Sequence, residues 1–214
     1  FPDSKSYKFS RKTASPSLWY FGPAQHTLVC DSVTGNSWQL ALWFKRDSDI
    51  SSEENIISKG DSVGPGNMEW FVHMNADGTI TFRVYDSSPG GYTEVSLAKN
   101  YADNQWHYLS VSWRNGTINI YGFAPQVATL SDLEFATAST TNPTNNIASL
   151  YLTLGAEFAG GWFPSANPFY GFIDEVVFWN AEISGFSGLF PMYAQYPLGA
   201  NLPYPGRVWN YQNL

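Results

Sequence analysis

The chain has a single cysteine, Cys30, among 214 residues, which leaves neither an intrachain disulfide nor a cysteine-based zinc site available. Cys30 is expected to be a small buried apolar side chain near a strand end. Basic charge is scarce as well. Eleven Lys and Arg stand against eighteen Asp and Glu, a net charge of −7, and no window clusters basic residues with aromatics as a phosphate-tracking groove requires. Nucleic acid is thereby excluded as the expected partner. Apolar runs stop short of the roughly 18 consecutive residues a membrane span needs, so no insertion into a bilayer is expected. The opening Phe1-Pro2-Asp3-Ser4-Lys5 has neither Met nor an apolar stretch, so the sequence is expected to be a piece of a longer polypeptide. No stretch shows helical spacing. What the chain does have is 43% hydrophobic and 17% aromatic residues, enough to bury a core and to exclude global disorder.

Period-2 alternation is the dominant pattern. Trp38-Gln39-Leu40-Ala41-Leu42-Trp43-Phe44 places Trp38, Leu40, Leu42 and Phe44 on one face. Thr79-Ile80-Thr81-Phe82-Arg83-Val84-Tyr85 puts Ile80, Phe82 and Val84 on a buried face and leaves Thr79, Thr81 and Arg83 to solvent. Further runs begin at Trp70, His107, Thr117, Leu150 and Phe172. Asp77-Gly78 and Asn115-Gly116 each separate two such runs and predict hairpins with type I′ turns, because both residues of the turn tolerate positive φ. The tight hairpin also accounts for Asn115-Gly116-Thr117 without glycosylation. Residues 137–146, rich in Ser, Thr and Asn, are expected to form a long surface connection. Composition and periodicity alone therefore give an antiparallel sandwich or barrel, one domain of about 200 residues. After residue 190 the character changes: Pro191, Pro197, Pro203 and Pro205 alternate with aromatics at a density that forbids a central strand. A domain over 1–190 is followed by a tail over 191–214 that packs on it or leads to a neighbouring domain or subunit.

The order of these runs resembles that of laminin-G-like and pentraxin-like domains. The resemblance is carried by Ala41-Leu42-Trp43-Phe44-Lys45, Ile56-Ile57-Ser58-Lys59-Gly60, the run from Gly78 to Asp86, Asn104-Gln105-Trp106-His107, Asn115-Gly116-Thr117-Ile118-Asn119-Ile120 and Leu152-Thr153-Leu154-Gly155. It ends on Gly171-Phe172-Ile173-Asp174-Glu175-Val176 and covers roughly residues 5–190. It implies an all-β, two-sheet antiparallel jelly-roll sandwich of the concanavalin A-like type. Secreted animal members usually carry a disulfide near their C-terminus, which this chain lacks; that points to the microbial or viral branch, extracellular or on a cell or virion surface.

Each site residue has two readings. Enzymes on the implied fold use a Glu-x-Asp-x-Glu strand motif, which is absent, and the adjacent Asp174 and Glu175 point to opposite faces of a strand. No catalytic residue is assigned, and a glycan hydrolase ranks third among the functions. His107, His26 and His73 are read as structural and too scattered for a metal cluster. The resemblance implies a Ca²⁺ site at the sheet rim built on Asp86, with Asn146 and the backbone of Ala148 on the facing loop. The competing reading is that Asp86 caps its own turn. The acidic run from Asp47 to Glu54 lacks the glycine an EF-hand needs and is read as a solvated connection. The ligand surface is expected in the insertion 157–167, where Trp162 and Phe163, with Phe158 and the neighbouring Tyr92, would stack on a sugar ring. Alternatively, Phe158 and Phe163 fold back on the core. The expected function is a non-catalytic module that binds a cell-surface carbohydrate or receptor; second comes an assembly protomer, forming homo-oligomers through the tail.

Overall fold

Twelve strands and no helix form among the described residues. The computed structural model describes residues 7–8, 19–21, 37–46, 50–60, 68–86, 91–123, 133–140, 152–157 and 166–179. The strands are β1 (Tyr7–Lys8), β2 (Trp19–Phe21), β3 (Ser37–Arg46), β4 (Glu54–Gly60), β5 (Met68–Met74) and β6 (Ile80–Tyr85). They continue as β7 (Tyr92–Leu97), β8 (Trp106–Arg114), β9 (Thr117–Phe123), β10 (Glu134–Ser139), β11 (Leu152–Leu154) and β12 (Gly171–Trp179).

Two six-stranded sheets result, the first in the order β1-β12-β3-β8-β9-β10 and the second β2-β11-β4-β5-β6-β7. Every pairing is antiparallel. The alternation seen in the sequence sets which face of each sheet turns inward. Trp38, Leu40, Leu42 and Phe44 of β3 meet Trp70 and Val72 of β5 and Ile80, Phe82 and Val84 of β6 in one core cluster between the sheets. Trp38 and Trp70 lie across the sandwich with ring centres 5.0 Å apart, and Phe82 packs edge-on to both. Each such aromatic buries on the order of 150–250 Å², and Trp113, Phe44 and Phe169 add three more fully buried rings to the same core.

Strand β4 departs from simple alternation. Its register against β5 shifts between Asn55 and Ile57, and both Ile56 and Ile57 join the core. A bulge is what allows two neighbouring residues to face the same side.

Both expected hairpins form, but their turns differ. Asn115 and Gly116 both carry positive φ, 51° and 86°, as a type I′ turn requires. Of Asp77 and Gly78 only the glycine does, at 82°, and the N–H of Gly78 donates to the carbonyl of Asn75 at 2.9 Å. The expected type I′ turn there is corrected to a four-residue turn with a glycine bulge. The reason is the Asp77 side chain: its Oδ1 accepts from both the N–H and the hydroxyl of Thr79, an arrangement that needs no positive φ at Asp77.

Two further expectations are corrected. Residues 137–139 are not a surface connection but the end of β10, paired with β9. The acidic connection is not solvated throughout either. Glu54 opens β4 fully buried, taking two 2.6 Å hydrogen bonds from the Arg46 guanidinium. Cys30, residues 141–146 and the tail over 191–214 lie outside the described residues.

Candidate functional site

The outward face of the second sheet carries an unusual row of side chains. Strand alternation turns Phe71 and His73 of β5, Arg83 and Tyr85 of β6, and Tyr92 and Glu94 of β7 away from the core. Cross-strand register then brings them into contact. Phe71 sits opposite Arg83, Arg83 opposite Glu94, and Tyr85 opposite Tyr92.

Arg83 organises the row. Its Nε donates to Glu94 Oε2 at 2.8 Å, and a second guanidinium nitrogen lies 2.6 Å from the same oxygen. The guanidinium also lies 4.1 Å from the ring centre of Tyr92, 4.9 Å from that of Phe71 and 6.0 Å from that of Tyr85, so the cation rests against an aromatic cluster. Tyr85 closes the group, edge-on to Phe71 and to Tyr92. Tyr92 nevertheless remains 48% exposed, one of two large hydrophobic side chains left in solvent among the described residues.

The row continues through His73, whose ring stacks on Phe71 at 3.7 Å between centres. Its Nδ1 meets Glu53 and its Nε2 meets Glu157. Neutral imidazole donates from only one nitrogen, so two carboxylates at the two nitrogens favour the doubly protonated ring. Burial pushes the His73 pKa down, but the hydrogen bonds and charges of Glu157 and Glu53 outweigh it and the net direction is upward. Glu53 responds in the opposite sense, held below the usual carboxylate range by its hydrogen bond to His73. The two carboxylates lie on opposite sides of the ring and do not converge. Among the described residues no group of three or more His, Cys, Asp or Glu is placed to hold a metal.

Glu157 ties this row to the expected ligand loop. Backbone hydrogen bonds of 2.9 and 3.2 Å join Glu157 to Ala166 at the base of that loop. Asn167 reinforces the base: its amide reaches Glu157 at 3.4 Å, and its carbonyl accepts the N–H of Asn55 at 2.7 Å. An unbroken series of contacts thus runs from Tyr92 through Arg83, Phe71 and His73 to Glu157. Phe158, Trp162 and Phe163 lie outside the described residues.

Of the expected calcium set, Asp86 is described and Asn146 and Ala148 are not. Asp86 is buried at the end of β6; its N–H donates to Gly91 at 2.9 Å, and its Oδ1 accepts from the Thr140 hydroxyl at 3.2 Å. Its carboxylate also packs on Gly91, where a Cβ would come within 2.8 Å of Oδ2. Residues 87–90, the turn that Asp86 is expected to cap, lie outside the described residues. Asp174 is buried opposite Trp43, next to a register shift that separates it from Val177. His107 is held in the core between Phe44 and Tyr101 and bonded to Asp103 at 2.7 Å; burial pushes its pKa down against the pull of that carboxylate. It has the surroundings of a structural histidine.

Thr81 and Arg83, expected in solvent, are buried and partly buried, and β7 has no counterpart among the expected runs. The signal was present: Tyr92, Glu94 and Ser96 alternate with Thr93, Val95 and Leu97, the last two of which are buried.

A family model described as the concanavalin A-like lectin/glucanases superfamily, Laminin_G_3, matches residues 23–185. The chain belongs to this family. Comparison with curated proteins gives no match. Among solved structures, this Laminin_G_3 domain is similar to the Ruminococcus gnavus sialidase CBM40 bound to α2,3-sialyllactose, with a TM-score of 0.61 at 12% identity over 88% of this chain and 96% of that one. It is also similar to the binding domain of botulinum neurotoxin serotype D, with a TM-score of 0.60 at 12% identity over 89% of this chain and 42% of that one. The mouse laminin α1 chain domains LG4-5 give 0.54 at 14% identity, over 82% of this chain and 41% of theirs. The chain spans less than half the length of the toxin and laminin fragments. At these identities the likeness is one of fold: the two-sheet jelly roll.

Proposed function

We propose that this Laminin_G_3 domain is a non-catalytic binding module that recognises a carbohydrate or a receptor at a cell surface, and that Tyr92 lies at the centre of its ligand surface. The observation that carries this reading is the exposed Tyr92 ring, held by Arg83 and Tyr85 on a rigid sheet face. An aromatic ring fixed in this way stacks on the apolar face of a sugar without losing much conformational entropy on binding. Glu94 and the Tyr92 hydroxyl supply hydrogen-bonding groups beside it. The Glu157–Ala166 bridge roots the loop bearing Phe158, Trp162 and Phe163 in the same network, which supports extending the surface to those residues. Folds of this kind in the sialidase and neurotoxin structures serve as binding domains, and the module reading is consistent with that use. Its setting is extracellular, as part of a larger surface, fibre or virion protein.

The test is a glycan microarray probed with the wild type, Tyr92→Ala and Trp162→Ala, each checked for folding by its melting curve. Loss of binding in a folded Tyr92→Ala variant supports the surface; unchanged binding removes it. The Trp162→Ala result decides whether the loop takes part.

A second reading, an assembly protomer, is favoured by one observation on the other sheet. Phe135 of edge strand β10 is 51% exposed and stacks on Tyr121 at 4.7 Å, a pair of aromatics on the outward face. Exposed aromatics of this kind are enriched at protein interfaces. Light scattering at high concentration tests it, since a strict monomer that Phe135→Ser leaves unchanged speaks against assembly through this edge.

A further inference from the structure

The cations of the second sheet's outward face are already engaged. Arg83 gives two donors to Glu94 and lies against the rings of Tyr92 and Phe71. His73 is bound at both nitrogens, by Glu53 and Glu157. Elsewhere, Arg46 is committed to Glu54 and Lys59 to Glu69, both pairs fully buried.

The two segments 87–90 and 158–165, whose ends lie beside this surface, bring no replacement. Between Arg114 and Arg207 the sequence contains no Lys or Arg. The segment 158–165, which leaves and returns at the Glu157–Ala166 bridge, therefore has none, nor does 87–90, which joins Asp86 to Gly91. Glu53 and Glu94, by contrast, keep 49% and 39% of their side chains in solvent. With His73 protonated, the row holds two cations and the three carboxylates Glu53, Glu94 and Glu157, an excess of one negative charge.

We propose that the ligand of the Tyr92 surface is a neutral glycan, stacked on the ring face opposite the Arg83 guanidinium and hydrogen-bonded through its hydroxyls to Glu94. This rests on the binding reading above and narrows it. Carboxylated or sulfated sugars are bound by unengaged Arg or Lys, most effectively by a bidentate guanidinium. Here such a ligand would meet half-exposed carboxylates and a guanidinium already pinned, and like-charge juxtaposition suppresses the wrong partner. Sugar hydroxyls, as donors, suit carboxylate acceptors. The role of Arg83 is to position Tyr92, not to capture an anion.

Isothermal titration with lactose and 3′-sialyllactose, alongside a microarray of neutral, sialylated and sulfated glycans, tests this directly. Neutral glycans are expected to bind with an affinity that added salt leaves unchanged, since no counter-charge is screened. Their sialylated or sulfated derivatives should bind more weakly, by about tenfold for an acidic group beside Glu94. Glu94→Gln, which releases the guanidinium, should reverse that preference. Tighter, salt-sensitive binding of 3′-sialyllactose by the wild type would overturn the inference and leave the binding module intact. Neutral-glycan binding that survives Tyr92→Ala would overturn it too, by moving the ligand off this surface. Binding of no glycan at all would overturn the carbohydrate reading and this inference together.

Discussion

Arg46, the last residue of β3, and Glu54, the first of β4, form a fully buried ion pair through two 2.6 Å hydrogen bonds, and Glu54 also accepts the backbone N–H of Tyr170 at 3.2 Å. The pair links the two sheets at one end of the sandwich. Removing one partner leaves a buried charge uncompensated, which costs about 3–5 kcal/mol. Glu54→Gln should therefore lower the melting temperature by roughly 6–20 °C, at about 2–4 °C per kcal/mol for a chain of this size. The double variant Arg46→Met, Glu54→Leu should recover most of that loss. A single variant that melts like the wild type would show the pair to be dispensable.

His73 makes stability depend on pH in a definite direction. Its folded pKa is raised, because the bonds to Glu157 and Glu53 outweigh burial. The stabilisation is therefore fully present below the unfolded value near 6.5 and is lost as pH rises through the folded value. Glu53, lowered by its bond to His73, adds stability above about 4.5 that is lost as pH falls through its folded value. Melting temperatures measured from mildly acid to alkaline buffer should fall on the alkaline side, and His73→Gln should flatten that limb. A wild-type curve already flat there would contradict the clamp.

Glycines mark where strands approach too closely for a side chain. A Cβ on Gly171 would lie 2.1 Å from the Lys45 carbonyl oxygen, a backbone atom of the paired strand. On Gly122 it would meet the Tyr101 hydroxyl at 2.3 Å and Leu97 Cδ1 at 2.4 Å, both side-chain atoms. Alanine at either position should destabilise by about 1–3 kcal/mol, with Gly171 the worse because backbone cannot rotate away. Urea denaturation of the two variants ranks them, and a smaller loss at Gly171 would contradict the packing shown.

Asp86 is the place to separate turn capping from calcium. Replacing it by Ala removes the acceptor of the Thr140 hydroxyl, which should cost about 1–3 kcal/mol with calcium or with chelator alike. A loss seen only in calcium, together with a calcium-induced rise in the wild-type midpoint, would instead assign the carboxylate to an ion shared with Asn146 and Ala148. Ligand at about 100 times its Kd stabilises by roughly 2.7 kcal/mol, a shift that tryptophan fluorescence detects easily.

Much of the fold was legible because the side-chain period of a strand is a local property. Seven alternating runs and two glycine turns gave an antiparallel sandwich or barrel, the resemblance of their order to laminin-G-like domains implied the two-sheet jelly roll, and Trp38, Leu40, Phe82 and Val84 lie in the core where alternation put them. Strands β7 and β10 escaped notice because each lies at a sheet edge, where polar and apolar residues mix and the signal weakens. The Asp77 turn was misjudged because its type depends on a side-chain hydrogen bond to Thr79, not on the Asp-Gly pair alone.

The sequence by itself determined an antiparallel sandwich or barrel, the scarcity of basic charge and which residues of each alternating run share a face. Only the tertiary structure decided which outward residues meet. Arg83 and Glu94 are brought opposite each other by register between β6 and β7, and His73 is joined to Glu53 and Glu157 from segments distant in the chain. Periodicity fixes the face a residue occupies, but a cross-strand neighbour depends on which strands pair and in what register. Those are set by the whole core at once.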